Sequence, residues 1–274
     1  DGSGAGFGGE LAELYATKVL EPNWPAWQDM LAALRAQLPS GAGRIIEIAT
    51  GPGEPACTIA TEMPEAQVLA TDIEPSMIEQ AQRRCAHLPN VAYAVADAQD
   101  LSAYDDGSFD AMTVCYGHMF VPDLPRALRE AQRVLRPGGA VVTTVWRNIW
   151  HFDVSKEVMA ALGGAALDFD PTSLSADGLL ERYFRGAGFE VVASRLGHYA
   201  YEFESVEEGF ELLTLPVKEE LDAAFAADAK ARDRAFTAYA RYLRASNLVE
   251  MGTGRVVAGP NYYKLVVARR PLEG

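Results

Sequence analysis

The chain has 274 residues, 49% of them apolar, which is enough to bury one large α/β core with an attached cap. Against 24 Lys and Arg stand 38 Asp and Glu, a formal net charge of −14, and no cluster of basic residues exists to neutralise a nucleic acid backbone. DNA and RNA are therefore excluded as expected partners, and no apolar run approaches the roughly 20 residues that cross a bilayer.

The glycine-rich opening at residues 1–9 has almost nothing to bury and is expected to be flexible. The chain starts at Asp1, which suggests trimming or processing. The expected location is thus the cytoplasm or an organelle interior reached with a removed targeting segment, in either case a reducing compartment. Cys57, Cys85 and Cys115 lie far apart and read as separate buried thiols, neither a metal motif nor a disulfide set.

From Glu10 to Leu38 the apolar spacing is helical, with Leu11, Leu14 and Tyr15 on one face. After the break at Pro22 to Pro25, Trp27, Met30, Leu31, Leu34 and Leu38 share another. Arg44 to Ala49 reads as a buried strand, TGPG as a turn, and Glu54 to Met63 as a helix. Gln67 to Asp72 is a second strand, Pro75 opens a helix, and Val91 to Asp97 is a third strand. Phe109 to Tyr116 is a fourth. Asp123 can cap the next helix, RPGG at Arg136 to Gly139 ends it, and Gly138 to Trp146 is a fifth strand.

Strands alternating with helices at this spacing imply a parallel sheet covered on both faces. Beyond Trp146, residues Arg147 to Pro171 read as irregular and Ala176 to Gly186 as a helix, and Phe189 to Phe203 contains a strand. Ser205 to Leu221 and Asp228 to Ala245 read as two helices that cap the site, and Asn261 to Arg270 as a final strand. The expected organisation is a flexible 1–9, N-terminal cap helices over 10–40, a core over 41–204, a helical insertion or lid over 205–250, and the last core strand over 251–274.

EIATGPGEPA (Glu47 to Ala56) sets Gly51 and Gly53 where a buried strand turns into a helix, so that a ligand can lie against bare backbone. The same letters satisfy G-x-G-x-x-A with the acid Asp72 about 20 residues on, so the loop alone fits a dinucleotide as well. Asp72 ends the second strand, where a carboxylate can accept both ribose hydroxyls of an adenosine, and Ile73 offers an apolar surface to the adenine. Asp97 ends the third strand beside Ala98. In an open parallel sheet ligands gather at these carboxyl ends, and the set fits one adenosine-bearing cofactor. Asp72 can equally cap the helix opened by Pro75, and Asp97 can be a turn acid.

IEIATGPG, ATDIEPSMIEQA, VADAQDLSAYDDGSFD, CYGHMFVPD and LREAQRVLRPGGAVVTTVW occur in this order. Over roughly residues 10–200 the chain resembles the class I, Rossmann-like S-adenosylmethionine-dependent methyltransferases of the ubiquinone and menaquinone biosynthesis type. The resemblance implies a seven-stranded, mostly parallel α/β sheet with an antiparallel last strand, helices on both faces and a helical cap, and S-adenosylmethionine as cofactor. It implies that Glu47, Ala49 and Gly51, with Thr50 and Gly53, surround the methionine part of the cofactor. Asp72, Ile73 and Met77 would serve the ribose and adenine, Asp97 and Ala98 the adenine edge, and Cys115 and Tyr116 the region near the sulfonium. Tyr15 is the candidate for an N-terminal tyrosine near the cofactor. Ala49 and Thr50 depart from the family's usual glycine or cysteine-glycine there, and Pro55 stiffens the following turn.

Methyl transfer from a sulfonium is an in-line displacement in which positioning and exclusion of water supply much of the acceleration. If the acceptor must lose a proton, His118 after strand four and His151 after strand five are the candidate bases; for His118 the other reading is a satisfied core histidine. Four scattered histidines give no metal site, so metal-independent chemistry is expected. Tyr116, Phe120, Trp146, Trp150 and Phe152 can wall a pocket for a small hydrophobic or aromatic methyl acceptor. The alternatives are the same fold reused without methyl transfer, for example for cyclisation, and a nicotinamide-dependent dehydrogenase. The dehydrogenase lacks a second nucleotide-binding half in this chain.

Overall fold

The computed structural model describes residues 21–164, 169–249 and 253–272. The expected first helix with Leu11, Leu14 and Tyr15, and the glycine-rich opening, lie outside the described residues. In chain order the elements are α1 (Trp24–Gln37), β1 (Gly43–Ile48), α2 (Ala56–Glu62), β2 (Ala66–Asp72), α3 (Pro75–Arg84), β3 (Val91–Val95), β4 (Phe109–Cys115), α4 (Leu124–Val134) and β5 (Leu135–Trp146). Then follow α5 (Trp150–Ala161), α6 (Leu179–Gly186), β6 (Glu190–Phe203), α7 (Val206–Leu213), α8 (Lys218–Ala227), α9 (Ala231–Ala245) and β7 (Val256–Arg269).

The strands form one seven-stranded sheet in the order β3-β2-β1-β4-β5-β7-β6. β1 pairs parallel with both β2 and β4, β2 with β3, and β4 with β5, whereas β7 runs antiparallel to β5. This is the expected Rossmann-like sheet. Apolar runs such as Ile45, Ile46, Val114, Val141 and Val142 are buried because helices leave neither face of the central strands to water. Trp27, Met30, Leu31 and Leu34 form the buried stripe of α1, and the Asp123 carboxylate caps α4 by accepting the Arg126 N–H at 2.9 Å. Chain order leaves β1 in opposite directions toward β2 and β4, so the β1/β4 boundary is the topological switch where such sheets bind ligands.

Two compact units make up the chain. Among the described residues, a sheet unit comprises 25–147, 172–197 and 263–272, and a second comprises 21–24, 148–164, 169–171, 198–249 and 253–262. Helices α5, α7, α8 and α9 belong to the second, whose interior holds an aromatic cluster of Phe210, Phe236 and Tyr239 with ring centroids 5.3 to 6.1 Å apart.

Four sequence expectations need correction. Residues Arg147 to Pro171 are not irregular throughout, because α5 buries Phe152, Val154, Ser155 and Val158, and its first amide donates to Asn261 Oδ1 at 2.8 Å. Consecutive aromatic residues Trp150, His151 and Phe152 hide that i, i+4 spacing. The helix expected over Ser205 to Leu221 is divided by a turn at Leu215–Val217, and its second part runs on to Ala227. Strand β5 starts at Leu135, with the RPGG residues inside it, Gly138 at φ +78° and an irregular register opposite Phe109 and Ala111.

The fourth correction concerns the thiols: Cys57 and Cys85 form a disulfide, with Cα atoms 5.5 Å apart, and among the described residues Cys115 alone is free. Their 28-residue separation conceals the pairing. The β1–α2–β2–α3 path returns the end of α3 to the start of α2.

Candidate functional site

The buried run of β1 stops at Ile48, and the chain turns sharply: Ala49, Gly51 and Gly53 have φ of +56°, +54° and +108°. A non-glycine residue held in the left-handed region at the end of a core strand is a strained conformation of the kind concentrated at functional sites, and Tyr116 after β4 repeats it at φ +53°. A Cβ added to Gly51 would meet no protein atom within 4 Å, so its backbone faces open space. Gly53 is the opposite case, because a Cβ there would come within 3.1 Å of Ala81 Cα and 3.2 Å of Cys85 Sγ. Gly53→Ala is therefore expected to destabilise the fold by about 2 kcal/mol or more through backbone strain and overpacking, measurable by urea unfolding.

Asp72 ties the end of β2 to this turn after β1. Its Oδ2 accepts the Gly51 N–H at 2.8 Å and its Oδ1 the Glu74 N–H at 3.0 Å, which leaves each carboxylate oxygen a further lone pair. Thr50 N–H donates to Thr71 O at 2.9 Å and closes the turn against β2. Ile73 beside it is 58% exposed, an apolar side chain left uncovered next to an oriented acid.

Glu47 and Thr50 are buried, and Glu47 Oε1 and Thr50 Oγ1 make no hydrogen bond among the described residues. Burial, then the neighbouring Glu54 carboxylate, hold the Glu47 carboxyl well above the usual carboxylate range. Cys115 ends β4, and burial pushes its thiol up to about 12. Tyr116 stacks on Trp146 with centroids 4.4 Å apart and an interplanar angle of 10°. Gly117 brings the β4 loop against the β1 loop, since a Cβ there would lie 2.8 Å from Ala49 Cβ.

The sheet unit thus brings together Glu47, Ala49, Thr50, Gly51, Gly53, Asp72 and Ile73, with Cys115, Tyr116 and Trp146 following on the neighbouring strands. Met77 is half-buried in the first turn of α3, and Ala98 is half-buried after β3. Asp97 forms a local turn, its Oδ1 accepting the Gln99 N–H at 2.8 Å and the Gln99 side-chain amide at 3.2 Å. Phe120 is 58% exposed. Trp150 and Phe152 lie in the other unit, Trp150 tilted against Tyr242 at 6.0 Å and Phe152 edge-on to Phe169 at 6.5 Å.

The two candidate bases sit in different surroundings. His118 matches the core-histidine reading: it is 3% exposed, with Nδ1 3.0 Å from Thr143 Oγ1 and its ring edge-on to Phe184. Burial lowers its pKa to about 4, which makes it a neutral core histidine. His151 is half-buried in the second unit with Nδ1 3.2 Å from Tyr201 Oη, which is itself 3.3 Å from Tyr199 Oη, and burial lowers its pKa to about 4 as well.

Sequence reasoning missed Glu54. Its carboxylate accepts the Thr58 N–H at 3.1 Å and the Thr58 hydroxyl at 2.8 Å and pairs with Arg84 Nε at 3.3 Å, which fixes the exit from the glycine turn. An acid four residues before a threonine at a helix start was the available signal.

Residues 45–139 match the family described as "Methyltransferase domain". The demethylmenaquinone methyltransferase of Thermus thermophilus is 33% identical over 189 residues, which cover 67% of this chain and 72% of that enzyme. A ubiquinone/menaquinone biosynthesis C-methyltransferase of a Geobacter species is 33% identical over 154 residues, covering 52% of this chain and 65% of that enzyme, so the chain spans just under two thirds of that relative. A solved methyltransferase-fold chain from Bacillus halodurans superposes with a TM-score of 0.57 at 19% identity, over 89% of this chain and 99% of that one, a likeness of fold. No helix among the described residues is long and apolar enough to cross a membrane. With the Thermus enzyme matched over that share of its length, the chain belongs to the class I, Rossmann-like S-adenosylmethionine-dependent methyltransferases of the ubiquinone/menaquinone biosynthesis type, whose fold and lineage imply S-adenosylmethionine as cofactor.

Proposed function

We propose that this chain transfers the methyl group of S-adenosylmethionine to a small hydrophobic or aromatic acceptor, with a ring carbon of a quinone precursor as the leading acceptor class. The observation that carries the cofactor half is the hydrogen bond from Gly51 N–H to the Asp72 carboxylate, which unites the glycine turn and the ribose acid at one point of the switch. The open space at Gly51 and the orphaned oxygens of Glu47 and Thr50 support room and polarity for an aminoacid end. The exposed Ile73 supports an adenine face. The acceptor half rests on the names of the relatives, which act on ubiquinone and menaquinone precursors.

Bound there, S-adenosylmethionine supplies an electrophilic methyl group on a sulfonium. Glu47, Thr50, Gly51 and Gly53 would hold its aminoacid end. Asp72 would accept from the ribose hydroxyls, Met77, Ala98 and Asp97 would serve the adenine, and Cys115 and Tyr116 would lie toward the methyl. The stacked Tyr116 and Trp146 present a flat apolar wall, which suits a planar acceptor and keeps water from the sulfonium.

Incubation with S-adenosylmethionine carrying an isotopically labelled methyl group and a panel of demethylated quinone precursors tests this reading. A product that gains the labelled methyl on carbon is expected. Conversion of an acceptor without label would instead favour a rearranging or cyclising activity.

A further inference from the structure

Helices α4 and α6 pack together within the sheet unit and leave a groove of 380 Å³ between them. From α6, Leu179, Arg182, Tyr183 and Gly186 line it at helical spacing, and from α4 the i, i+4 pair Pro125 and Arg129 forms the facing wall. Its size lies within the roughly 300–1,000 Å³ typical of small-molecule sites, and none of the residues assigned above to cofactor or acceptor lines it.

The positive charge of this groove has no counterpart. In a chain with 38 Asp and Glu against 24 Lys and Arg an arginine readily finds a carboxylate, as Arg84 finds Glu54 and Arg147 finds Asp177. Arg129 and Arg182 are exposed and hold none among the described residues. Every acid in the two helices, or just ahead of them, is committed elsewhere. Asp123 caps α4, and Asp177 holds Arg147. Glu130 accepts from Arg133 Nε at 2.9 Å and from the Leu101 N–H at 2.8 Å. Glu181 is buried on the inner side of α6, where it accepts the Ser194 hydroxyl at 2.6 Å and lies 3.6 Å from Lys264 Nζ.

We propose that this groove is a second binding site, for a small organic acid with a flat apolar body: Arg129 and Arg182 take its carboxylate, and Leu179 and the half-exposed ring of Tyr183 take its body. A guanidinium fork matches a carboxylate with two parallel hydrogen bonds, and a tyrosine face suits a flat apolar group. A bare inorganic anion would leave the apolar wall unused. A docked helix of a partner protein would find little to follow, because α6 has eight residues and extends only about 12 Å. The inference is independent of the assignment of the glycine turn.

Titration calorimetry with indole-2-carboxylate as the probe, beside indole-2-carboxamide and inorganic phosphate, tests both halves of the site. The carboxylate is expected to bind the wild type, and to bind Arg129→Gln/Arg182→Gln about tenfold more weakly or worse, through the loss of charge-assisted hydrogen bonds. The neutral amide should lose a similar factor on the wild type, phosphate should bind more weakly than the indole acid, and Tyr183→Ala should lower affinity for that acid several-fold. Equal affinity of wild type and double variant would place the probe elsewhere and overturn the proposal, as would an amide or a phosphate that binds as well as the acid. If the double variant does not fold, Tyr183→Ala and the amide comparison still decide. Absence of binding by the indole acid would also overturn it, and adsorption to phosphatidylglycerol vesicles that Arg129→Gln/Arg182→Gln abolishes would then make this face a lipid contact instead.

Discussion

Replacing Asp72 with alanine is expected to weaken binding of S-adenosylhomocysteine by about 100-fold or more, the equivalent of roughly 3 kcal/mol. Two losses combine. The free lone pairs of the carboxylate are the proposed acceptors for a ribose diol, and hydrogen bonds to a charged group contribute about 1.5–3 kcal/mol each. The same carboxylate fixes the turn, and without it the Gly51 and Glu74 N–H groups lose their acceptor. Asp72→Asn keeps one carbonyl oxygen and the shape, so it is expected to lose less, about tenfold. Calorimetry measures both, and a melt of the ligand-free proteins separates a disordered turn from lost contacts. If alanine left affinity unchanged while the protein stayed folded, the ribose would have to be held elsewhere.

The parts of the site legible in the sequence are those set by strand ends. A buried run such as Ile45 to Ile48 followed by paired glycines declares its own turn, and Asp72 at the close of β2 is fixed in place by the parallel register of Ile48 with Thr71. The Asp123 cap was legible for the same local reason. What escaped depends on contacts distant in sequence. His118 looks like a loop residue until the short turn at His118–Phe120 folds its ring under Thr143 and Phe184, 25 and 66 residues away. The half-buried α5 carries its aromatic residues on successive positions, which blurs the helical period that Val154 and Val158 would otherwise display. Strand β7 begins at Val256, ahead of the alternating segment that starts at Asn261, because Gly259 and Pro260 interrupt the alternation there.

Removing the Cys57–Cys85 crosslink is expected to cost about 3–4 kcal/mol of stability, the chain-entropy value for a loop of 28 residues. The loss should concentrate at the glycine turn. Cys57 N–H donates to Gly53 O at 2.9 Å, and Cys85 Sγ lies 3.7 Å from that same carbonyl oxygen, so the bridge clamps the two helices that bracket Gly53. Urea unfolding of Cys57→Ser/Cys85→Ser beside the wild type reads the difference, and a reductant should lower the wild type toward the variant while leaving the variant unmoved. A thiol count gives a check independent of any mutation. Cys115 is the one free cysteine among the described residues, and its burial-raised pKa of about 12 keeps it from reacting in the native state. The folded chain should therefore expose almost no reactive thiol, and the unreduced chain in denaturant should show the one belonging to Cys115. Three thiols in the unreduced, denatured chain would mean that Cys57 and Cys85 sit side by side without a bond, and the stability difference should then vanish with it.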